Sequence, residues 1–259
     1  MKILHVVPTY YPAVRYGGPI VSVHELCKSI VSLGHEVTVF TTNIDGKNTS
    51  NVPLETIVEL DGVTIRYFSV PNFFKRWYLS PRMYKFLKKE INKFDFIHLH
   101  SIFLWPTSAA ARVAYKSKKP WCISPRGALN SEMIKGKSEF YKNIALKLYE
   151  LKTLKGSAFI HATSLMELEQ IKFLGYDLPE VVVVPNGISI PKLYKRESTC
   201  RPYLLALGRI SWKKGLDRLI AAMKFIPGYD LYIIGNDDEG LTPKLQQIAI
   251  TSKVENRIR

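Results

Sequence analysis

The chain is 259 residues long and 46% hydrophobic, enough apolar side chain for one large core or two small ones and too much for an intrinsically disordered segment. Its formal net charge of +15, from 37 Lys+Arg against 22 Asp+Glu, calls for an anionic partner such as a nucleotide, a nucleic acid or a membrane surface. Cys27, Cys122 and Cys200 are too widely spaced for a disulfide framework or a C-x-x-C metal or redox site, and no stretch approaches the roughly 20 apolar residues of a membrane span. The apolar run Ile3 to Val7 is too short for a signal-peptide core, so a reducing, cytoplasmic location is expected.

Ile3 to Val7 reads as a first strand. Gly17-Gly18-Pro19 then opens a helix whose residues Ile20, Val23, Cys27 and Ile30 share one face, with Pro19 at the first helical position and Gly34 past the end. Glu36 to Phe40 supplies a second strand, and this βαβ unit opens a doubly wound sheet. Gly17 and Gly18 leave the amides at the helix start open to an anion, or else mark a plain turn. The fingerprint G-x-G-x-x-G is absent, which argues against a nicotinamide enzyme. Residues 41 to 61 are polar and read as a long loop, and Val63 to Phe68 as a short strand. Lys75 to Lys93 holds seven basic residues and one acid, a net of +6, interleaved with Trp77, Tyr78, Tyr84 and Phe86 and preceded by Phe73 and Phe74. Such a segment docks on anionic headgroups with its rings in the interface, or is a surface helix with its apolar side on the core.

Asp95 to His100 is an apolar strand ending on H-x-H, and alternation puts both imidazoles on one face. A bare H-x-H with no third ligand nearby in sequence is a weak metal signature. Pro120 to Ser124 is a further strand, followed by Pro125-Arg126-Gly127-Ala128-Leu129; Arg126 at a strand end is either a contact to an anionic ligand or a structural cation of the cleft wall. Arg112 to Lys155 carries eleven basic residues and three acids, a net of +8, with a helix expected from Ser138 to Leu154. Ala158 to Ala162 is the next strand, and Ser164 with Glu167 forms a capping box for a helix to about Phe173. Val181 to Val184 closes the first domain at Pro185-Asn186-Gly187, and Ser189 to Arg201 reads as a linker.

Tyr203 to Leu207, bounded by Pro202 and Gly208, has the length and flanks of a buried parallel strand. In an open α/β sheet, ligands sit outside the carboxyl ends of strands, so Arg209 and Lys214 project where a polyphosphate binds, unless they are solvated charges of a turn. A helix from Leu216, a strand over Asp230 to Ile234 and a helix from Thr242 complete the chain.

The ordered set of Gly17-Gly18, D-x-x-H-x-H, P-R-G-x-L, P-N-G-I and G-R-x-x-x-x-K-G resembles the retaining GT-B glycosyltransferases called family 4. The resemblance implies an α/β fold of two Rossmann-like doubly wound domains: residues 1–188 on the acceptor side, a linker at 189–201, and 202–259 as the start of a nucleotide-sugar-binding domain that is incomplete. It implies that Arg209 and Lys214 hold the donor diphosphate with Gly17 and Gly18 beside it, that His100 faces the sugar or acceptor while His98 packs, and that Arg126 and Asn186 belong to the cleft. The implied reaction moves a sugar from a nucleotide sugar to an envelope polysaccharide or lipid-linked acceptor with retention, with no metal or other cofactor and no nucleic acid, on the inner face of a membrane. The family's E-x-x-x-x-x-x-x-E pair has no counterpart here, so the chain as given is expected to be inactive alone. A GT-B nucleotide-sugar epimerase and a non-catalytic basic membrane-binding module are the alternatives.

Overall fold

The computed structural model describes residues 1–129, 149–190, 202–237 and 239–259. The chain divides into two compact units, Met1–Ser189 and Ile190–Arg259. The helix expected over Ser138 to Leu154 lies largely outside the described residues, as does most of the expected linker; Leu151–Lys155 is helical.

The first unit is built on β1 (Lys2–Val7), α1 (Gly18–Ser32), β2 (Glu36–Thr42), a small hairpin of β3 (Ile44–Asp45) and β4 (Asn48–Thr49), β5 (Ile57–Leu60), β6 (Val63–Phe68), α2 (Pro81–Glu90), β7 (Phe96–His100), α3 (Trp105–Lys116), β8 (Trp121–Ser124), α4 (Leu151–Lys155), β9 (Phe159–Ala162), α5 (Leu165–Phe173) and β10 (Val181–Val183). Eight strands form one sheet in the order β10-β9-β8-β7-β1-β2-β6-β5, parallel except for the β5–β6 pair. From β1 the chain builds outward first through β2 and β6 and then, on the other side, through β7 to β10. The strand order therefore reverses between β1 and β7, and the crevice at their carboxyl ends is where an open sheet of this kind takes its ligand.

Three elements escaped the sequence reading. β5 and the β3–β4 hairpin lie inside residues 41–61. The signal for the β5–β6 turn was Asp61-Gly62, both at positive φ, the Asp-Gly turn that suits the twist of a two-residue hairpin. The helix α3 was also missed; its face of Ala110, Ala111, Val113 and Ala114 packs on the sheet beside Met83 and Leu87 of α2. In contrast, α1 ends where Gly34 adopts φ 84°, a conformation that favours glycine.

The two faces of the central strands differ. Leu4, Val6, Ile97, Leu99, Ile123 and Ile160 point to one face and form a large apolar core with α2 and α3. The alternate residues point to the α1 side, where Val7, Val37, Val39 and Ile65 pack on Val23 and Cys27. On that same side the strands toward the β7 edge present His5, His98, His100, Ser124 and His161, all buried. Period-two alternation thus segregates a polar layer beneath the carboxyl edge of the sheet.

The second unit contains β11 (Tyr203–Leu207), α6 (Leu216–Ala222), β12 (Asp230–Ile234) and α7 (Thr242–Thr251), with the two strands parallel. Leu216, Ile220, Met223, Leu231, Leu245, Ala249 and Val254 form its core on one face. The other face exposes Tyr203, Leu205, Leu207, Tyr232 and Ile234.

Candidate active site

The loops that follow β1, β7 and β8 surround the crevice. Gly17 has φ 71° and ψ −137° and precedes α1, whose first residue is Gly18; a Cβ added at either glycine would meet nothing within 4 Å. The helix start is therefore sterically open. After β8, Arg126 and Gly127 take successive left-handed conformations, φ 53° and 75°. A left-handed arginine costs backbone strain unless its surroundings hold it. Glu167 supplies part of that hold: its Oε1 accepts from the Gly127 amide at 2.6 Å and its Oε2 from the Thr163 amide at 2.7 Å. Ser164 caps α5 through the Glu167 amide, as the S-x-x-E spacing implies, while the Glu167 carboxylate reaches back to Thr163, one residue before the N-cap, with one oxygen and serves the Arg126-Gly127 turn with the other.

The Arg126 guanidinium reaches three elements. Its Nε donates to His100 Nδ1 at 3.4 Å, and its Nη1 donates to Asn186 Oδ1 at 3.0 Å and to Ser22 Oγ of α1 at 3.2 Å. A guanidinium only donates, so His100 Nδ1 is the acceptor and its Nε2 keeps the proton. That proton goes to His5 Nδ1, 2.9 Å away, leaving His5 Nε2 as a buried atom with no partner among the described residues. A second relay runs beside it. His161 Nε2 faces the Val184 carbonyl at 2.8 Å and donates, so its Nδ1 accepts from Ser124 Oγ at 2.7 Å, and Ser124 in turn accepts from His98 Nε2 at 2.7 Å.

All these imidazoles are neutral. Burial drives the pKa of His5 down to about 3, assisted by the Arg126 charge, and lowers those of His98, His100 and His161 for the same reason. Both imidazoles of the H-x-H pair are therefore packed. The expectation that His98 packs while His100 faces the crevice is corrected, since His100 is the more buried, at 1% exposure against 8%. The physical reason is that β7 lies between β1 and β8, and Arg126 covers the end of the strand.

A third imidazole does stand beside the pair. Strand register sets His5 opposite His98, and ligand atoms of His5, His98 and His100 lie within 4.8 Å of one another. The set was invisible in sequence because His5 lies on β1, far along the chain from the pair on β7. Its geometry suits hydrogen bonding better than metal ligation: His5 and His100 already share a proton, the His98 and His100 rings stack at 4.0 Å, and a guanidinium, which repels a cation, stands next to them.

Two further features adjoin the crevice. Ser22, Leu26, His161, Pro185, Asn186 and Ser189 help line a cavity of about 320 Å³ between α1 and the Pro185-Asn186-Gly187 turn. Behind the loop after β7, where Ser101 and Phe103 are left-handed, the buried Glu150 carboxylate accepts from the Phe103 amide at 2.9 Å and from Ser108 Oγ at 3.1 Å. Its other oxygen is buried without a partner among the described residues, and burial raises its pKa to about 7.

In the second unit, the loop from Gly208 to Gly215 follows β11. A Cβ at Gly235, the residue after β12, would lie 1.8 Å from the Gly208 carbonyl oxygen, so the two strand-end loops touch backbone to backbone. The Ile210 amide donates to the Asn236 carbonyl, and Glu239 accepts from Ser211 Oγ at 2.8 Å and from the Trp212 amide at 3.3 Å. Lys214 runs back along Gly208. Neither Arg209 nor Lys214 has a carboxylate partner among the described residues. The loop thus holds two cations on a braced backbone at a strand's carboxyl end.

The family model for Glycosyltransferase Family 4 matches residues 16–191. The chain belongs to this family. No curated protein matches it. Among solved structures, it is similar to sucrose-phosphate synthase from Thermosynechococcus elongatus, at 15% identity and a TM-score of 0.73 over 100% of this chain and 69% of that one. It is similar to Anabaena Alr3699/HepE in complex with UDP and glucose, at 17% identity and a TM-score of 0.70 over 100% of this chain and 68% of that one. The catalytic domain of starch synthase IV from Arabidopsis thaliana, bound to ADP and acarbose, matches at 14% identity and a TM-score of 0.67, over 100% of this chain and 73% of that one. The fold is accordingly GT-B, and the enzyme is a glycosyltransferase. Among the described residues no helix is long and apolar enough to cross a membrane.

Proposed function

We propose that this glycosyltransferase moves its sugar with retention of anomeric configuration to a saccharide or lipid-linked acceptor of a cell-envelope polysaccharide. Arg209 and Lys214 bind the donor diphosphate, and in the first unit the open amides at Gly17 and Gly18 offer a place for an anion. As the glycosidic bond to the donor breaks, negative charge grows on the leaving diphosphate, and cations fixed beforehand in the loop stabilise it without reorganising. The leaving oxygen assists the incoming hydroxyl on the same face of the sugar. In this reading the chain's own cations do the neutralising and no metal is needed. Arg126 and Asn186 form the acceptor side, and His100 acts through Arg126, holding its guanidinium from below. The basic segment Lys75 to Lys93 docks the first unit on an anionic membrane.

The observation that supports the donor role is the pair of cations without carboxylate partners among the described residues, on a loop pinned by Glu239 and by the Gly208–Gly235 contact. Removing a charge-assisted contact costs on the order of 1.5 to 3 kcal/mol, so Arg209→Ala and Lys214→Ala should each weaken nucleotide-sugar binding about tenfold or more. Calorimetric titration of a panel of nucleotide sugars into each variant measures this. Affinity unchanged in both variants would sink the assignment.

A further inference from the structure

We infer that the turn Asn72–Trp77 between β6 and α2 is a membrane-inserting wedge, with Phe73 and Trp77 entering the lipid interface, so that the acceptor is met at an anionic membrane surface. The inference rests on the docking reading above and adds which residues enter the lipid and what their entry does for the site. The basic segment of the sequence resolves into two parts with different roles. In α2, Met83 and Leu87 are buried and Tyr84 and Phe86 pack against the core, so its aromatic residues are not free to leave the protein. What α2 offers to solvent is its opposite side, Arg82, Lys85, Lys88 and Lys89.

The exposed rings belong instead to the 3-10 turn before it. Phe73 is 81% exposed and Trp77 50% exposed, a fully apolar and an amphipathic ring held in water within one short 3-10 segment. The turn stands on a fixed base. Ser80 Oγ donates to the Ser69 carbonyl at 2.7 Å, the Val70 amide donates to Asn43 Oδ1, and Phe74 is half-buried against the edge of the Phe73 ring.

Charge complementarity selects the occupant. Arg82 pairs with Glu55 and Lys93 with Glu90, whereas Lys75, Arg76, Lys85, Lys88 and Lys89 have no ion-pair partner among the described residues. Exposed rings flanked by unpaired cations match an anionic headgroup layer above acyl chains. Topology then links the wedge to function. The turn leaves the carboxyl end of β6, and β6 runs parallel to β2 and β1, so the wedge lies on the same edge of the sheet as the loop before α1 and the Arg126 turn. Seating the wedge brings that edge toward the membrane and lets a lipid-anchored acceptor enter without leaving the bilayer.

The test uses the full chain with phosphatidylcholine vesicles that either contain or lack phosphatidylglycerol. Wild type should co-sediment with the anionic vesicles only, and lipids brominated in the acyl chain should quench its tryptophan fluorescence. That quenching should vanish in Trp77→Phe, and the double variant Phe73→Ser, Trp77→Ser should bind about tenfold more weakly. Both positions are exposed, so circular dichroism should be unchanged. Reversal of Lys85, Lys88 and Lys89 to Glu should abolish binding. Binding that charge reversal removes, but that the double variant keeps and brominated lipid does not quench, overturns the wedge and leaves the docking reading standing. No binding to anionic vesicles overturns both. Binding of a single-stranded oligonucleotide in place of vesicles overturns both in favour of a nucleic-acid surface.

Discussion

Glu150 offers a test of the buried polar architecture that needs no substrate. Its side chain is fully buried, one oxygen takes two hydrogen bonds, the other takes none among the described residues, and desolvation outweighs both bonds to raise the pKa from 4.5 to about 7. The folded state therefore holds a proton that the unfolded chain has already released between those two values. Stability must fall as pH rises through this window, because the native state binds more protons there. From these two pKa values the contribution between pH 5 and pH 8 comes to about 2.5 kcal/mol, at 1.36 kcal/mol for each factor of ten. Glu150→Gln keeps an oxygen that accepts from Phe103 and Ser108 but cannot ionise. Urea unfolding followed by circular dichroism at pH 5, 6, 7 and 8 should show the variant gaining on wild type by about 2.5 kcal/mol across the series, whatever its offset at pH 5. Comparing the two proteins at each pH cancels the histidine titrations, which act in the opposite direction. A difference between variant and wild type that stays flat from pH 5 to pH 8 would refute the reasoning and place an unseen partner on the second oxygen.

The histidine layer predicts the opposite slope. His5, His98 and His100 have folded pKa values far below 6.5, so the stability they contribute is present above that value and is lost as pH falls and the unfolded state takes up protons. Acid unfolding of the first unit should begin below about pH 6, and His5→Phe, which also costs His100 its acceptor, should lower stability at pH 8 yet lose less of it between pH 8 and pH 5 than wild type; an equal loss in both proteins would argue that this histidine is not held neutral. In the second unit, Gly235→Ala sets a methyl group against the Gly208 carbonyl and should cost about 3 kcal/mol or more, seen as a lower thermal midpoint together with weaker nucleotide-sugar binding. A variant with the wild-type midpoint would mean that the loops are not in contact.

What the sequence determined by itself was whatever depends on near neighbours along the chain. Apolar runs located β1, β2, β6 to β9, β11 and β12, Pro19 and Gly34 bounded α1, and the loops at Gly17-Gly18, Arg126, Asn186 and Arg209 through Lys214 fell at strand ends, because strand and helix periods and turn residues are local properties. The ordered motifs were enough to indicate the family. Lateral order was not legible. Period-two alternation told that His98 and His100 share a face, but only the pairing of β1 with β7 set His5 against them, and only the third dimension closed Arg126 over His100. Glu167 looked like a capping residue and Glu150 like one charge among many, yet each holds a functional-edge loop through bonds that cross about 40 residues of chain or more. Likewise Tyr84 and Phe86 could not be told from Phe73 and Trp77 in a list of aromatics among lysines. Which rings face the core depends on how α2 rolls against the sheet, and that is set by packing across elements, which no spacing within one element encodes.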